Sequence, residues 1–182
     1  KISVSSHIRG QRINYPQSNG SWDIQTTSNQ VFKVKLHAQG PEGLDLRSKI
    51  WLCLDIVNKG HESLLIKGRA YESWKETTGG TVVEAGKKAT LYIHLPRAVN
   101  DEVKHSSLYG NIKGFPNGTY ASSWKQLNLA EVRTLDLDIY SASGQINIAL
   151  SKLRGMADFV GIKDYKFSPH KRPYVDGFGQ NK

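Results

Sequence analysis

Hydrophobic and polar positions alternate with a period of two over most of this chain, which predicts strands and very little helix. The clearest instance is residues 31–38, where Phe32, Val34, Leu36 and Ala38 point one way while Lys33, Lys35 and His37 point the other. The run that organises the rest begins at Ile50, where Ile50, Leu52, Leu54 and Ile56 interleave with Trp51, Cys53, Asp55 and Val57. Both faces of that run are mostly apolar, as a strand in the middle of a buried sheet requires. The polar turn Asn58-Lys59-Gly60 and the apolar run Leu64-Leu65-Ile66 then predict a central hairpin.

The same reading continues down the chain. Residues 1–30 are polar and carry short candidate strands around Ile2-Ser3-Val4 and Trp22-Asp23-Ile24, predicting edge structure. Residues 70–80 break the alternation and close on Thr77-Thr78-Gly79-Gly80, reading as a loop before a short strand at Thr81-Val82-Val83. In residues 89–95, Leu91, Ile93 and Leu95 oppose Tyr92 and His94. A long irregular excursion over 96–131 follows, and loops of that length in compact domains are commonly functional. Leu135, Leu137 and Ile139, the turn Ser143-Gly144, and Ile146, Ile148 and Leu150 predict a second hairpin, with a last strand near 159–167. Seven or more strands with regular turn signals predict an all-β antiparallel sandwich of the jelly-roll, galactose-binding-like kind. The sandwich is expected over 1–168 and a linker over 169–182.

Strand reversal sorts the connections by pole: 39–48, 70–80 and 96–131 are predicted at one end, and 58–61, 85–87 and 141–144 at the other. The first end gathers most loop aromatics. An exposed ring beside hydrogen-bonding side chains suits a pyranose, whose C–H face packs on the ring while its hydroxyls meet polar groups. Trp74, Trp124 and Tyr120 are therefore the candidate platforms, and Arg69, Lys75 and Asn111 the candidate polar partners. Each aromatic competes with a reading in which it folds onto the core, and each polar residue with one in which it is merely solvated. Trp51, inside the apolar strand, is assigned to packing.

Composition then narrows the chemistry. At 182 residues, with 38% hydrophobic and 23% charged, the chain is one ordinary domain large enough to bury a core without staples. Cys53 is the single cysteine and reads as a small buried hydrophobe. No apolar run approaches the roughly 18 residues that would cross a bilayer, and no signal-peptide pattern opens the chain. Starting at Lys1 without methionine, it is expected to be a mature form or an excised piece. Twenty-five Lys and Arg against 16 Asp and Glu leave a net charge of +9, favouring a polyanionic partner, whether nucleic acid, an anionic membrane surface or a sulfated or uronic polysaccharide, against the alternative of a merely solvated basic surface. Catalytic signals are thin: Asp136 and Asp138 share one strand face beside Arg133, which reads as a solvated face, and no zinc, EF-hand or phosphate-loop spacing occurs. No catalytic residue, metal site or cofactor is expected; a calcium ion bracing the sandwich is compatible with the sequence. Asn19-Gly20-Ser21 and Asn117-Gly118-Thr119 match the glycosylation spacing, a pattern too common to decide anything.

The tail Tyr174-Val175-Asp176-Gly177-Phe178-Gly179-Gln180-Asn181-Lys182 resembles the segment that leads into the catalytic barrel of family 50 β-agarases. The order of other features is similar too: the strand ending at Asn58-Lys59-Gly60, Leu95-Pro96, Gly114-Phe115-Pro116, and the Leu129 to Val132 lead into the second hairpin. Those enzymes carry a jelly-roll, carbohydrate-binding-module-like domain ahead of the barrel. The resemblance implies a secreted or cell-surface bacterial module, a monomer, that binds a galactan such as agarose, porphyran or carrageenan. It also implies a C-terminal catalytic domain as its partner and no hydrolysis by these residues alone. The basic balance adds a preference for a sulfated galactan, since Arg and Lys pair with sulfate. The competing classes are a nucleic-acid binder using Lys33, Lys35 and His37, which the scattered basic residues disfavour, and a module that only supports the barrel.

Overall fold

The computed structural model describes residues 1–29, 31–40, 43–49, 51–72, 75–95, 112–115, 119–121 and 128–157. Its strands are β1 (Ile2–Ile8), β2 (Gln11–Tyr15), β3 (Ser21–Thr27), β4 (Phe32–Ala38), β5 (Trp51–Asn58) and β6 (Leu64–Glu72). They continue with β7 (Lys75–Val83), β8 (Lys88–His94), β9 (Ile112–Phe115), β10 (Thr119–Ala121), β11 (Thr134–Tyr140) and β12 (Gln145–Met156). A six-stranded sheet runs β2-β1-β4-β11-β6-β7, a four-stranded sheet runs β3-β12-β5-β8, and β9 pairs with β10. Every pairing is antiparallel. No helix occurs among the described residues, and the expected all-β antiparallel sandwich is the fold observed.

Alternation accounts for the core. Phe32, Val34 and Leu36 of β4, Leu135, Leu137 and Ile139 of β11, and Leu64 and Ile66 of β6 form the inner face of the larger sheet. Against them pack Leu52, Leu54 and Ile56 of β5, Leu91 and Ile93 of β8, Ile146, Ile148 and Leu150 of β12, and Trp22 and Ile24 of β3. Burying a side chain of this class contributes about 1.5–3 kcal/mol, so this layer dominates stability. Gly68 allows β8 side chains to pack close against β6: a Cβ there would stand 2.6 Å from Leu91 Cδ2 and 2.9 Å from Ile93 Cδ1.

Two predicted hairpins are not hairpins. β5 lies between β12 and β8, whereas β6 lies between β11 and β7, so 59–63 carries the chain from one sheet to the other. β11 and β12 likewise belong to different sheets, and 141–144 is a second crossing. Two consecutive strands with one apolar face each satisfy the same alternation whether they pair edge to edge or face each other across the core. Local side chains fix the outcome. Asn58, fully buried, donates from Nδ2 to the carbonyls of Glu62 (2.7 Å) and Val83 (3.0 Å), and its Oδ1 accepts from the Gly60 amide (2.9 Å). The Glu62 carboxylate accepts from the hydroxyls of Ser141 and Ser143 and from the Ser143 amide, tying the two crossings together.

The loop predicted over 70–80 is also corrected. β6 and β7 form a continuous hairpin from Leu64↔Val83 to Glu72↔Lys75. Gly79 and Gly80, which read as a turn, pair with Gly68 and Lys67 in an edge strand, a position that tolerates glycine. The amino-terminal segment contributes more than edges. β2 and β3 do lie at sheet edges, but β1 pairs on both sides, and a turn with positive φ at Arg9 and Gly10 (48° and 79°) joins β1 to β2. β12 continues past Leu150, where the sequence pattern ended, to Met156 through a bulge between Ser151 and Arg154, where Lys152 has φ 50°. The strand expected near 159–167 and the linker 169–182 lie outside the described residues.

The strand ends are sorted between two poles. Register places the ends of β4 and β6, and the starts of β5, β7 and β11, at one pole together with the ends of β8 and β12. The crossings 59–63, 84–87 and 141–144 sit at the other.

Candidate functional site

The outward face of the six-stranded sheet carries the densest array of charge described. Pairing brings Lys35, Asp136 and Arg69 into one transverse row and Lys33, Asp138 and Lys67 into the next. With strands about 4.8 Å apart and alternate residues about 7 Å apart along a strand, the four cations mark the corners of a rectangle roughly 10 Å by 7 Å. The two carboxylates run down its midline. Lys35 Nζ lies 4.0 Å from Asp136 Oδ1 and Arg69 Nη2 lies 3.5 Å from Asp136 Oδ2, while both cations stay about half exposed (49% and 48%). Lys67 Nζ sits 5.3 Å from the centre of the Tyr140 ring. The neighbouring strands add Ser3, Ser5 and His7 of β1 and Arg12 and Asn14 of β2; Arg12 Nε donates to Asn14 Oδ1 at 3.2 Å. At the pole end His37 Nδ1 lies 3.3 Å from Thr134 Oγ1. Among the described outward side chains of these five strands, Arg12, Lys33, Lys35, Lys67 and Arg69 face two carboxylates, Asp136 and Asp138.

Of the residues singled out from sequence, Arg69 is described completely: it stands on this face, one register row from the pole where β6 ends. Lys75 opens β7 at that same pole, and Tyr120 lies in β10, which packs beside β7 and β8. Trp74, Trp124 and Asn111 lie outside the described residues. The structure thus brings Arg69 and Lys75 to one end, as strand reversal predicted, but Lys75 belongs to a strand and not to a wide rim loop. What sequence reasoning missed is that Lys33, Lys35, Lys67 and Arg69 share one surface. The alternation of 31–38 exposed half of that set, but the register of β4, β11 and β6 was needed for the rest.

The outward face of the four-stranded sheet is of another kind. Trp51, Cys53 and Tyr92 form a second buried cluster with Met156 against it, and Trp51 and Tyr92 meet edge to face with centroids 5.8 Å apart. Trp51 is indeed a packing residue, though on the side of β5 away from the main core. Burial pushes the Cys53 thiol up to about 12, which leaves it inert as a nucleophile at neutral pH. Beside this cluster Asp55 accepts from Thr90 Oγ1 and from Arg154 Nη1, both at 2.9 Å. Arg154 reaches Asp55 by way of the β12 bulge, a pairing without a signal in the sequence.

At the pole of the crossings lies a cleft of about 600 Å³ whose lining includes Gln25, Thr27, Lys59, Glu62, Gln145 and Asn147. The sequence predicted only tight turns there. Among the described residues lining it there is no Trp, Tyr or Phe to offer a platform for a sugar ring. Its cation is engaged, since Lys59 Nζ reaches Asp23 Oδ1 at 2.5 Å.

Asp136 and Asp138 stand two apart on one strand face among cations, and the Asp136 carboxylate is shared between Lys35 and Arg69 in an ion-pair network. Among the described residues no group of three or more His, Cys, Asp or Glu is placed to hold a metal ion, and no helix is long and apolar enough to cross a membrane.

No protein-family model and no curated protein matches the chain. Solved structures do share its fold. Residues amounting to 86% of the chain superimpose on PfGH50B with a TM-score of 0.56 at 16% identity, covering 23% of that chain. An exo-β-agarase matches over 85% of the chain with a TM-score of 0.55 at 15% identity, covering 22% of it. The agarase AgWH50C matches over 85% with a TM-score of 0.57 at 16% identity, covering 23%. The chain therefore spans less than a quarter of the length of these agarase structures, and at such identity the likeness is one of fold.

Proposed function

We propose that this chain is a non-catalytic carbohydrate-binding module that recognises a red-algal galactan and directs an appended glycoside hydrolase to it. The observation that carries this reading is the fold shared, over most of this chain, with a segment of under a quarter of several agarases. The agarase-like tail from Tyr174 to Lys182 supports it independently of the coordinates. The basic sheet face, bordering the pole where β4 and β6 end, supports an anionic galactan over a neutral one.

In this reading Trp74, Trp124 and Tyr120 supply ring platforms for pyranose faces, while Arg69, Lys75 and Asn111 meet hydroxyls and acidic substituents. The module adds affinity and no bond cleavage. Its polymer is too large to enter a cell, so the protein works outside it, secreted or on the cell surface of a bacterium, as a monomer without a cofactor.

Affinity electrophoresis through gels containing agarose, porphyran or carrageenan, run at a salt concentration that suppresses non-specific ion exchange, tests the proposal. Retardation in at least one gel, reduced in the Trp74→Ala/Trp124→Ala double variant, is the expected result. Unretarded migration in all three gels overturns the proposal. Undiminished retardation of the double variant removes the indole platforms from it.

A further inference from the structure

We propose that the outward face of the six-stranded sheet is a sulfate-reading surface, on which a sulfated galactan chain lies across strands β4, β11 and β6. This rests on the galactan reading above and adds the chemical class of the polymer and the place where it is read. Lys33, Lys35, Lys67 and Arg69 stand at the corners of a flat rectangle, each separated from the next by a spacing of about 7–10 Å set by the sheet itself. All four are exposed. Cations so spaced match anions that recur at intervals along a polymer, such as sulfate esters on alternate sugars, better than a continuous string of charge. Arg69 presents a planar fork that can hold two oxygens of one sulfate, and the three lysines act as point charges.

The midline of the rectangle decides between polyanions. Asp136 and Asp138 project from β11 between the two pairs of cations. Ionised carboxylates only accept hydrogen bonds. A galactan offers hydroxyl donors between its sulfates, so these two carboxylates orient the chain. A DNA backbone offers phosphate oxygens and no hydroxyl, and the same carboxylates repel it. Among the side chains described on this face there is no row of aromatic rings, interleaved with Arg and Lys, of the kind single-stranded nucleic acid stacks on; Tyr140, under Lys67, is the one tyrosine whose side chain is described there. The array ends one register row from the pole where β6 ends and Lys75 opens β7.

The test uses the complete 182-residue chain and compares κ-carrageenan with the same polymer after chemical desulfation, by titration calorimetry at two salt concentrations, with duplex DNA as a third ligand. The wild-type protein is expected to prefer the sulfated chain by about tenfold or more, with the preference shrinking as salt rises. The Lys33→Gln/Lys67→Gln variant is expected to lose most of that preference, and Lys33→Arg/Lys67→Arg to keep it. An unchanged preference in the glutamine variant overturns the assignment of this face. Equal binding of sulfated and desulfated chains by the wild type overturns sulfate reading but leaves the galactan module standing, whereas binding of neither overturns both. DNA bound more tightly than κ-carrageenan overturns the choice of polymer. Should the glutamine pair fail to fold, Lys67→Gln alone reads the same preference, because one exposed lysine is removed from a surface that does not hold the sandwich together.

Discussion

The outward faces of the two sheets are built by one alternating pattern, yet one closes and the other stays open. On the four-stranded sheet the outward-facing Trp51, Cys53 and Tyr92 of β5 and β8 leave solvent almost completely (0%, 0% and 7% exposed) and form a core of their own. On the six-stranded sheet the outward positions of β4, β11 and β6 include Lys33, Lys35, Lys67 and Arg69, which are exposed, with the partly exposed Asp136 and Asp138 between them. The difference assigns the two faces different physical jobs. Burial on the closed face contributes to folding at a few kcal/mol per large side chain, whereas exposed ion pairs such as Lys35–Asp136 contribute about 0–1 kcal/mol. The open face is therefore the one whose residues can change, or meet a ligand, at little cost to the fold.

Truncating the closed face breaks this comparison most directly. Trp51→Ala is expected to destabilise the protein by about 3–5 kcal/mol in urea unfolding, the cost of a large buried aromatic. A loss below about 1 kcal/mol would mean that the second cluster is ornamental to stability. The crossing that sends β5 and β6 to different sheets comes next. Asn58→Ala leaves the Glu62 and Val83 carbonyls and the Gly60 amide without their partner and is expected to cost about 1–3 kcal/mol. A wild-type midpoint in that variant refutes the role given to this side chain.

Alkaline titration sharpens the same comparison. Burial raises Cys53 to about 12 from an ordinary 9.0, and burial likewise raises the Tyr92 hydroxyl. Both folded-state values lie above the unfolded ones, so their contribution is intact below pH 9 and is lost as pH climbs from there toward 12. The melting temperature is expected to fall across that interval, and Cys53→Ala to fall less steeply. Parallel pH profiles for the two proteins would contradict the closed face's hold on the thiol. The smallest effect belongs to the open face. Lys33→Gln and Lys67→Gln are each expected to shift stability by no more than about 0.5 kcal/mol, and a larger loss in thermal unfolding would show that this face does structural work.

How much of this was legible in the chain differs between core and site. The alternation in 31–38 and 89–95 identified the buried residues of β4 and β8 one by one, and the apolar character of both faces of β5 foretold that Trp51 and Cys53 would be buried. β2 left no such trace, because Gln11, Arg12, Ile13 and Asn14 are all exposed and no periodic burial shaped their sequence. The open face was half visible as Lys33, Lys35 and His37. Its other half comes from Lys67, Arg69, Asp136 and Asp138, up to about a hundred residues away in the chain, brought alongside by strand register.

Taken alone, the order of residues determined the all-β class, the positions of β4, β5, β8 and β11, the inward set on those strands and the pole at which each of them ends. All of these follow from local periodicity and from the reversal of direction at every turn. Tertiary structure alone decided which strands pair, that 59–63 and 141–144 cross between sheets, that 70–80 continues a hairpin, and that four cations surround two carboxylates on one plane. The physical reason is that alternation tells a strand which side faces the core but not which strand lies beside it. That choice is made by contacts between distant segments, such as Asn58 with Val83 and Glu62 with Ser143.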